Sequence, residues 1–257
     1  MKICRVGIVV ALPSESRTWC PQAVAVGTQH SIGDQALLAV SGVGEQRAAQ
    51  AAQGLVDAGV AGLVSWGCAA GLAHQLHAGA LCLPEVVVST HGQRWPTDAT
   101  WRQILADSLG ERVASGGALA HAPQVVASHS AKRALAAQTG AVLADMESAA
   151  IAQVAHRHGL PLLVVRSVVD PLELTLPAIV TNHIDDSGRV PLAPLLRGLV
   201  HRPGDLLTLL QLARGFRASL ASLRAVRASA GDNLLLTHAL TRPRSDATVR
   251  PAEPLSP

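Results

Sequence analysis

Residues 143–170 read LADMESAAIAQVAHRHGLPLLVVRSVVD. The segment 141–145 is short and apolar, 147–158 carries apolar residues at helical spacing until Gly159 and Pro161 break it, and 162–169 is a run dominated by branched aliphatic residues. Strand, helix and buried strand in that order are the repeating unit of an α/β fold. Three acids interrupt this apolar text: Asp145 and Glu147 where strand gives way to helix, and Asp170 directly after the second strand. In a sheet covered on both faces the ligand crevice lies outside the carboxyl ends of the strands, so acids at those ends are candidates for chemistry.

The same alternation extends in both directions. Upstream, 5–12 (RVGIVVAL) and 61–67 (AGLVSWG) read as buried strands, 23–28 and 35–41 as the arms of a hairpin, and 45–58 as a helix. Further along, 80–89 reads as a strand and 97–108 and 129–138 as helices. The expectation is a single α/β domain, 1–227, around a mixed sheet flanked by helices. Its last element is a long amphipathic helix over 204–227, with Leu206, Leu209, Leu210, Leu220 and Leu223 on one side and arginines toward its end. Residues 228–257, rich in Pro, Arg and Ser in their final stretch, are expected to be a disordered tail.

Composition excludes several classes. The 257 residues are 49% hydrophobic, enough for a large core, but contain one Phe, four Trp and no Tyr, a poor supply for stacking on bases. A net charge of +3 does not call for a nucleic-acid partner. Cys4, Cys20, Cys68 and Cys82 show no CxxC, and the two histidine pairs, His74/His77 and His156/His158, lack a third ligand at zinc spacing, so no metal is expected. The apolar run before Pro13 is too short for a signal-peptide core or a membrane span; a cytoplasmic location is expected.

Four stretches carry polar groups at strand ends. In ALPSES (11–16), Glu15 can serve as a base on water or simply cap a helix. In SGVGEQRAAQ (41–50) and SWGCAAGL (65–72), glycines at strand ends let backbone N–H groups approach a polar ligand, yet neither stretch fits GxGxxG or the P-loop. Glu147 can accept two hydrogen bonds from a ribose diol, while Asp145 fits charge stabilisation at a helix start. Asp170, at the mouth of an apolar crevice, can hold a raised pKa and donate a proton; alternatively it pairs with Arg166.

Taken in order, VGIVVALPSES, SGVGEQRAAQAA, SWGCAAGLA and ADMESAAIAQVAHRHGLPLLVVRSVVD resemble the nucleoside phosphorylase and nucleosidase superfamily, over about residues 3–172. The continuation through 226 resembles its hopanoid-associated phosphorylases, which remove adenine from adenosylhopane. The resemblance implies a partly barrel-like sheet. It assigns Asp170 to protonation of the purine at N7 and Glu15 to the attacking water. Glu147 would hold the ribose hydroxyls, with Met146 packed on the sugar, while Gly42, Gly44, Gly67, Cys68, Ala69 and Gly71 would line the sugar and nucleophile pocket. It implies a purine nucleoside, lipid-linked or soluble, as the partner, no cofactor other than phosphate as a conceivable co-substrate, and a homo-oligomer. A hopane substrate would bring the 204–227 helix to the inner face of a membrane. Departures are Cys68 and Ala70 in a run that reads Ser-Ala-Gly-Gly in nucleosidases, Val169 in place of the Ser before the catalytic Asp, and no Phe within 115–130. Alternatives are a nucleosidase for methylthioadenosine and, from another class, a non-catalytic nucleoside-binding or scaffold protein.

Overall fold

The computed structural model describes residues 4–177, 180 and 204–242. Strand β1 (Val6–Val10) is buried along its whole length and runs parallel to a neighbour on each side, β3 (Ala36–Val40) and β4 (Gly62–Gly71). Continuous aliphatic strands of this kind belong in the middle of a sheet with both faces covered. β3 also pairs antiparallel with β2 (Gln29–Ile32). The long strand β4 is where the sheet branches. β11 (Leu162–Asp170) runs parallel to it from Leu63 to Ala70, while Ala70 and Gly71 also pair antiparallel with β10 (Leu143–Asp145). One branch continues through β9 (Ala118–His121) and β6 (Val86–Val88) to β7 (Arg94–Pro96), the other through β5 (Leu81–Cys82) to β8 (Val113–Ser115). The sheet is thus mixed, as expected, and folds around β4.

Period-two alternation sorts the strand side chains onto two faces. Val6, Ile8, Val10, Leu163 and Val165 face the layer of α3 (Ala99–Leu109), α6 (Asp205–Ala230) and α7 (Leu236–Thr241). Val9, Val164 and Val168 face the opposite layer, α2 (Glu45–Asp57) and α5 (Ser148–Arg157). α4 (His129–Thr139) covers a third apolar cluster around Val88, Ala120 and Ala144. All these elements form one α/β domain.

Several expectations need correction. The first arm of the hairpin lies at 29–32 rather than 23–28, because the turn is made at Gly33, whose φ of 52° suits glycine. The expected strand over 80–89 is two strands, interrupted around Pro84, which has no N–H for a ladder. The expected tail also orders in part. α6 continues to Ala230, and NLLLTHAL (233–240) folds back so that Leu234 and Leu236 are fully buried; the Leu234 carbonyl accepts from Trp101 Nε1 at 2.6 Å. Burying a leucine contributes about 1.5–3 kcal/mol, enough for a short leucine-rich segment to join the core. The domain therefore extends past 227 to at least 242, and residues 243–257 lie outside the described ones. On α6, Leu220 and Leu223 are buried as expected, but Leu206 and Leu210 are exposed, and Arg227 stacks over Trp19 at 5.3 Å instead of facing water.

Candidate active site

A cavity of about 170 Å³ opens where β1, β4, β10 and β11 end, and Glu15, Glu147 and Asp170 all line it. Glu15 arrives on α1 (Pro13–Ser16), a single turn started by Pro13 directly after β1 and followed by Trp19, which is buried edge-on against Trp66 at 4.9 Å. Its carboxylate is held at both oxygens. Oε2 accepts from the N–H groups of Ala11 (3.1 Å) and Leu12 (3.0 Å), and Oε1 from that of Cys68 (2.8 Å). Burial raises its pKa, against the opposing pull of Arg166 and these three donors. Gly67 makes the close approach possible, since a Cβ there would collide with the Glu15 carboxylate and crowd Arg166.

Glu147 sits where β10 turns into α5. Its Oε1 accepts from Gly44 N–H at 2.9 Å, across a loop where Gly44 adopts a φ of 107° that L residues avoid. Burial, followed by the nearby Asp145 carboxylate, raises the Glu147 pKa. Asp145, two residues earlier, points the other way. It accepts from Arg166 Nε (2.8 Å) and Nη2 and from Ser148 N–H (3.1 Å), which starts α5. Arg166 also donates to Ser65 (2.7 Å) and Ser148 (3.0 Å). Burial works against the charge of this guanidinium, but Asp145, Glu15 and Glu147 together outweigh it and raise its pKa. Arg166 is thus a permanent cation beneath two of the cavity acids.

Asp170 ends β11, and burial raises its carboxyl to a pKa of about 6 against the pull of Lys132, whose Nζ lies 2.9 Å from Oδ2. Opposite, Val125, Val126 and Leu176 give the cavity an apolar wall. Cys68 lines it too, and burial and the neighbouring Glu15 push its thiol pKa up, which favours the neutral form. Among the described residues no group of three or more His, Cys, Asp or Glu could hold a metal ion; His74 pairs with Glu173 and His158 with Gln53.

The family model of the phosphorylase superfamily matches residues 9–190 and so spans all three cavity acids. The chain belongs to this superfamily. Among solved structures, phosphorylase-superfamily architecture recurs in the 5′-methylthioadenosine/S-adenosylhomocysteine nucleosidase of Helicobacter pylori (15% identity, 89% of this chain and 98% of that one, TM-score 0.68). The futalosine hydrolase of the same organism is similar at 15% identity, 88% and 97% coverage and a TM-score of 0.67. An S-adenosylhomocysteine nucleosidase from Streptococcus pyogenes shares 22% identity over 67% of this chain and 86% of that one, with a TM-score of 0.59. A comparison with curated protein sequences found no match.

Of the residues singled out in the sequence of this superfamily member, Glu15, Cys68, Ala69, Met146, Glu147 and Asp170 line the cavity. The glycines do not line it. Gly44 acts through its N–H on Glu147, Gly67 makes room for Glu15, and Gly71 pairs with Leu143 in the sheet beneath. Gly42 binds the Ala11 carbonyl through its N–H, and its neighbour Val43 reaches the cavity instead. Arg166, weighed as a partner of Asp170, pairs with Asp145. Lys132, Gln124 and the apolar wall were not anticipated. A cation inside an aliphatic strand was a readable signal for Arg166; for Lys132 the signal was its place one turn before Leu135, on the buried side of α4.

Proposed function

We propose that this protein hydrolyses the N-glycosidic bond of a purine nucleoside and releases adenine. The observation that carries the proposal is the convergence of Glu15, Glu147 and Asp170, from segments far apart in the chain, on one cavity. Glu147 accepts the ribose hydroxyls, with Met146 beside it against the sugar. Asp170 gives its proton to N7 as the bond from C1′ to N9 breaks and the bonding electrons leave with the base. Glu15 takes a proton from the water whose oxygen bonds to C1′. The products are purine and a ribose with a free anomeric hydroxyl, and proton exchange with solvent resets both acids.

Electrostatics favour water over phosphate. Phosphate would enter a cavity bordered by Glu15, Asp145, Glu147 and Asp170, and the cations beside them among the described residues are engaged: Arg166 by Asp145, Lys132 by backbone carbonyls and Asp170. Within this reading adenosylhopane is the substrate we put first, supported by the resemblance of the chain's second half. A cavity of this size takes little beyond a nucleoside, so a polycyclic 5′ group lies outside it. Among the described residues no helix is long and apolar enough to cross a membrane; the exposed Leu206, Leu207 and Leu210 at the start of α6 suit a peripheral contact. Methylthioadenosine is the second candidate, favoured by the nucleosidases of similar fold.

The test is chromatographic detection of adenine from both nucleosides, with and without phosphate. Release without phosphate is the expected result. Strict dependence on phosphate would overturn hydrolysis, and absence of adenine from either nucleoside would overturn the proposed substrate class. Co-sedimentation with liposomes, comparing the wild type with Leu206, Leu207 and Leu210 all replaced by Ser, checks the peripheral contact.

A further inference from the structure

Lys132 is one of only two lysines in the chain, and its side chain is fully buried on the inner side of α4. A buried ammonium must have its three protons accepted. Here they go to three main-chain carbonyls of the segment that follows β11: Asp170 (3.1 Å), Pro171 (2.7 Å) and Leu174 (3.0 Å). The Asp170 carboxylate meets the same ammonium, with Oδ2 2.9 Å from Nζ, so four oxygens compete for its three protons. The same segment is tied a second time, by Leu176 N–H to the Ala127 carbonyl at 2.8 Å, and Leu176 forms part of the apolar wall.

We propose that Lys132 is the positioning residue of the proton donor: it clamps the 170–174 strap under the cavity by its three hydrogen bonds to main-chain carbonyls and sets its charge against the Asp170 carboxyl. This rests on Asp170 being the acid of the reaction proposed above. Among the described residues the groups facing that carboxyl are few. α4 contributes Lys132, β4 contributes Cys68 with a neutral thiol, and the strap contributes Glu173, which is exposed and paired with His74; Arg166, on β11 itself, is turned to Asp145. Among the described residues Lys132 is therefore the cation set against Asp170. The arrangement has a chemical purpose. Burial alone would leave Asp170 protonated and reluctant to release its proton, whereas an adjacent ammonium stabilises the carboxylate that remains once the purine has taken it.

The experiment is a titration of the Asp170 side-chain carboxyl by carbon-13 NMR, in the wild type and in Lys132→Gln and Lys132→Met. Alongside it, the pH dependence of kcat and KM for base release is followed. Gln retains donors for two carbonyls without the charge, and Met removes both. The expected result is a rise of about 1–3 units in the Asp170 pKa in both variants, the range an opposite charge at contact produces. The basic limb of kcat should move up by the same amount, and Met should lose more kcat than Gln. An unchanged Asp170 pKa would overturn the charge role, and a drop in kcat with no movement of the limb would reduce Lys132 to packing. If neither variant folds, the wild-type titration decides: a pKa below about 7 supports the proposal, and one above it, where burial unopposed by a cation would put it, refutes it. The NMR measurement needs no turnover. Failure of the nucleosidase reading would therefore show as no base release by the wild type, and failure of the acid assignment as full activity in Asp170→Asn, each separately from the NMR result on Lys132.

Discussion

The two ends of the cavity hold the same chemical group by opposite means. At the β1 end, Glu15 is gripped by three backbone N–H groups, each directed at an oxygen of the carboxylate. At the β11 end, among the described residues no main-chain N–H of another residue is directed at Asp170 Oδ2, which has a buried ammonium 2.9 Å away. Hydrogen bonds aimed at the charged form hold a carboxylate in place as an acceptor, which suits a group that receives a proton from water. A carboxyl balanced between burial and one cation changes charge with little rearrangement, which suits a group that gives a proton away. The difference is what the proposed division into base and acid rests on.

The strongest way to break that comparison is at the acid end. Asp170→Asn should fold normally and lose roughly 10²–10⁴ in adenine release, the usual worth of general acid catalysis. Glu15→Gln tests the base end. Its loss, toward the lower part of that range, should appear in kcat at saturating nucleoside, and a Glu15→Gln enzyme as active as wild type would remove the distinction between the two ends.

Arg166→Met reaches both acids through the protein. It strands Asp145 as a buried charge without its partner, which typically costs about 3–5 kcal/mol, readable as a lower midpoint in urea. If stability were unchanged, the Asp145–Arg166 pair would not be the support beneath the site.

Acidity supplies a smaller test. Asp170 has a folded-state pKa of about 6, above its ordinary value of 3.8, so the folded protein binds this proton more tightly than the unfolded chain does. The resulting contribution, about 3 kcal/mol, is complete below the unfolded pKa and is lost as pH rises through 6. Unfolding free energies from pH 4 to 7 should fall by that amount for this group, and Asp170→Asn should flatten that part of the curve. Over the same interval the protonated acid is depleted, so kcat/KM should decline above pH 6. The smallest expected change is in Cys68→Ser. The side chain stays neutral either way, and a gained or lost neutral hydrogen bond keeps activity within about tenfold of wild type.

How much of this was readable depends on the length over which each signal persists. β1 and β11 were plain because their aliphatic runs are continuous, and α2 and α5 because small and aliphatic residues recur at helical spacing. β8 and β9 were not seen as strands. Three or four residues are too few to establish a period, and what makes them strands is the neighbour they pair with. The leucines of 233–240 looked like loop for the same reason, since their order comes from α3 and the core beneath it.

By itself, the sequence determined the longer strands and helices and the position of the acids at strand ends. These follow from local pattern, which a chain carries wherever it goes. Only the tertiary structure decided the partner of each acid. Asp145 and Glu147 are two residues apart and both border the cavity, yet Asp145 is paired with the Arg166 guanidinium while Glu147 accepts from the Gly44 N–H. Lys132 lies 38 residues from Asp170 in the chain and in contact with it in space. Electrostatic character is set by burial and by partners brought from remote segments, and neither exists until the chain has folded.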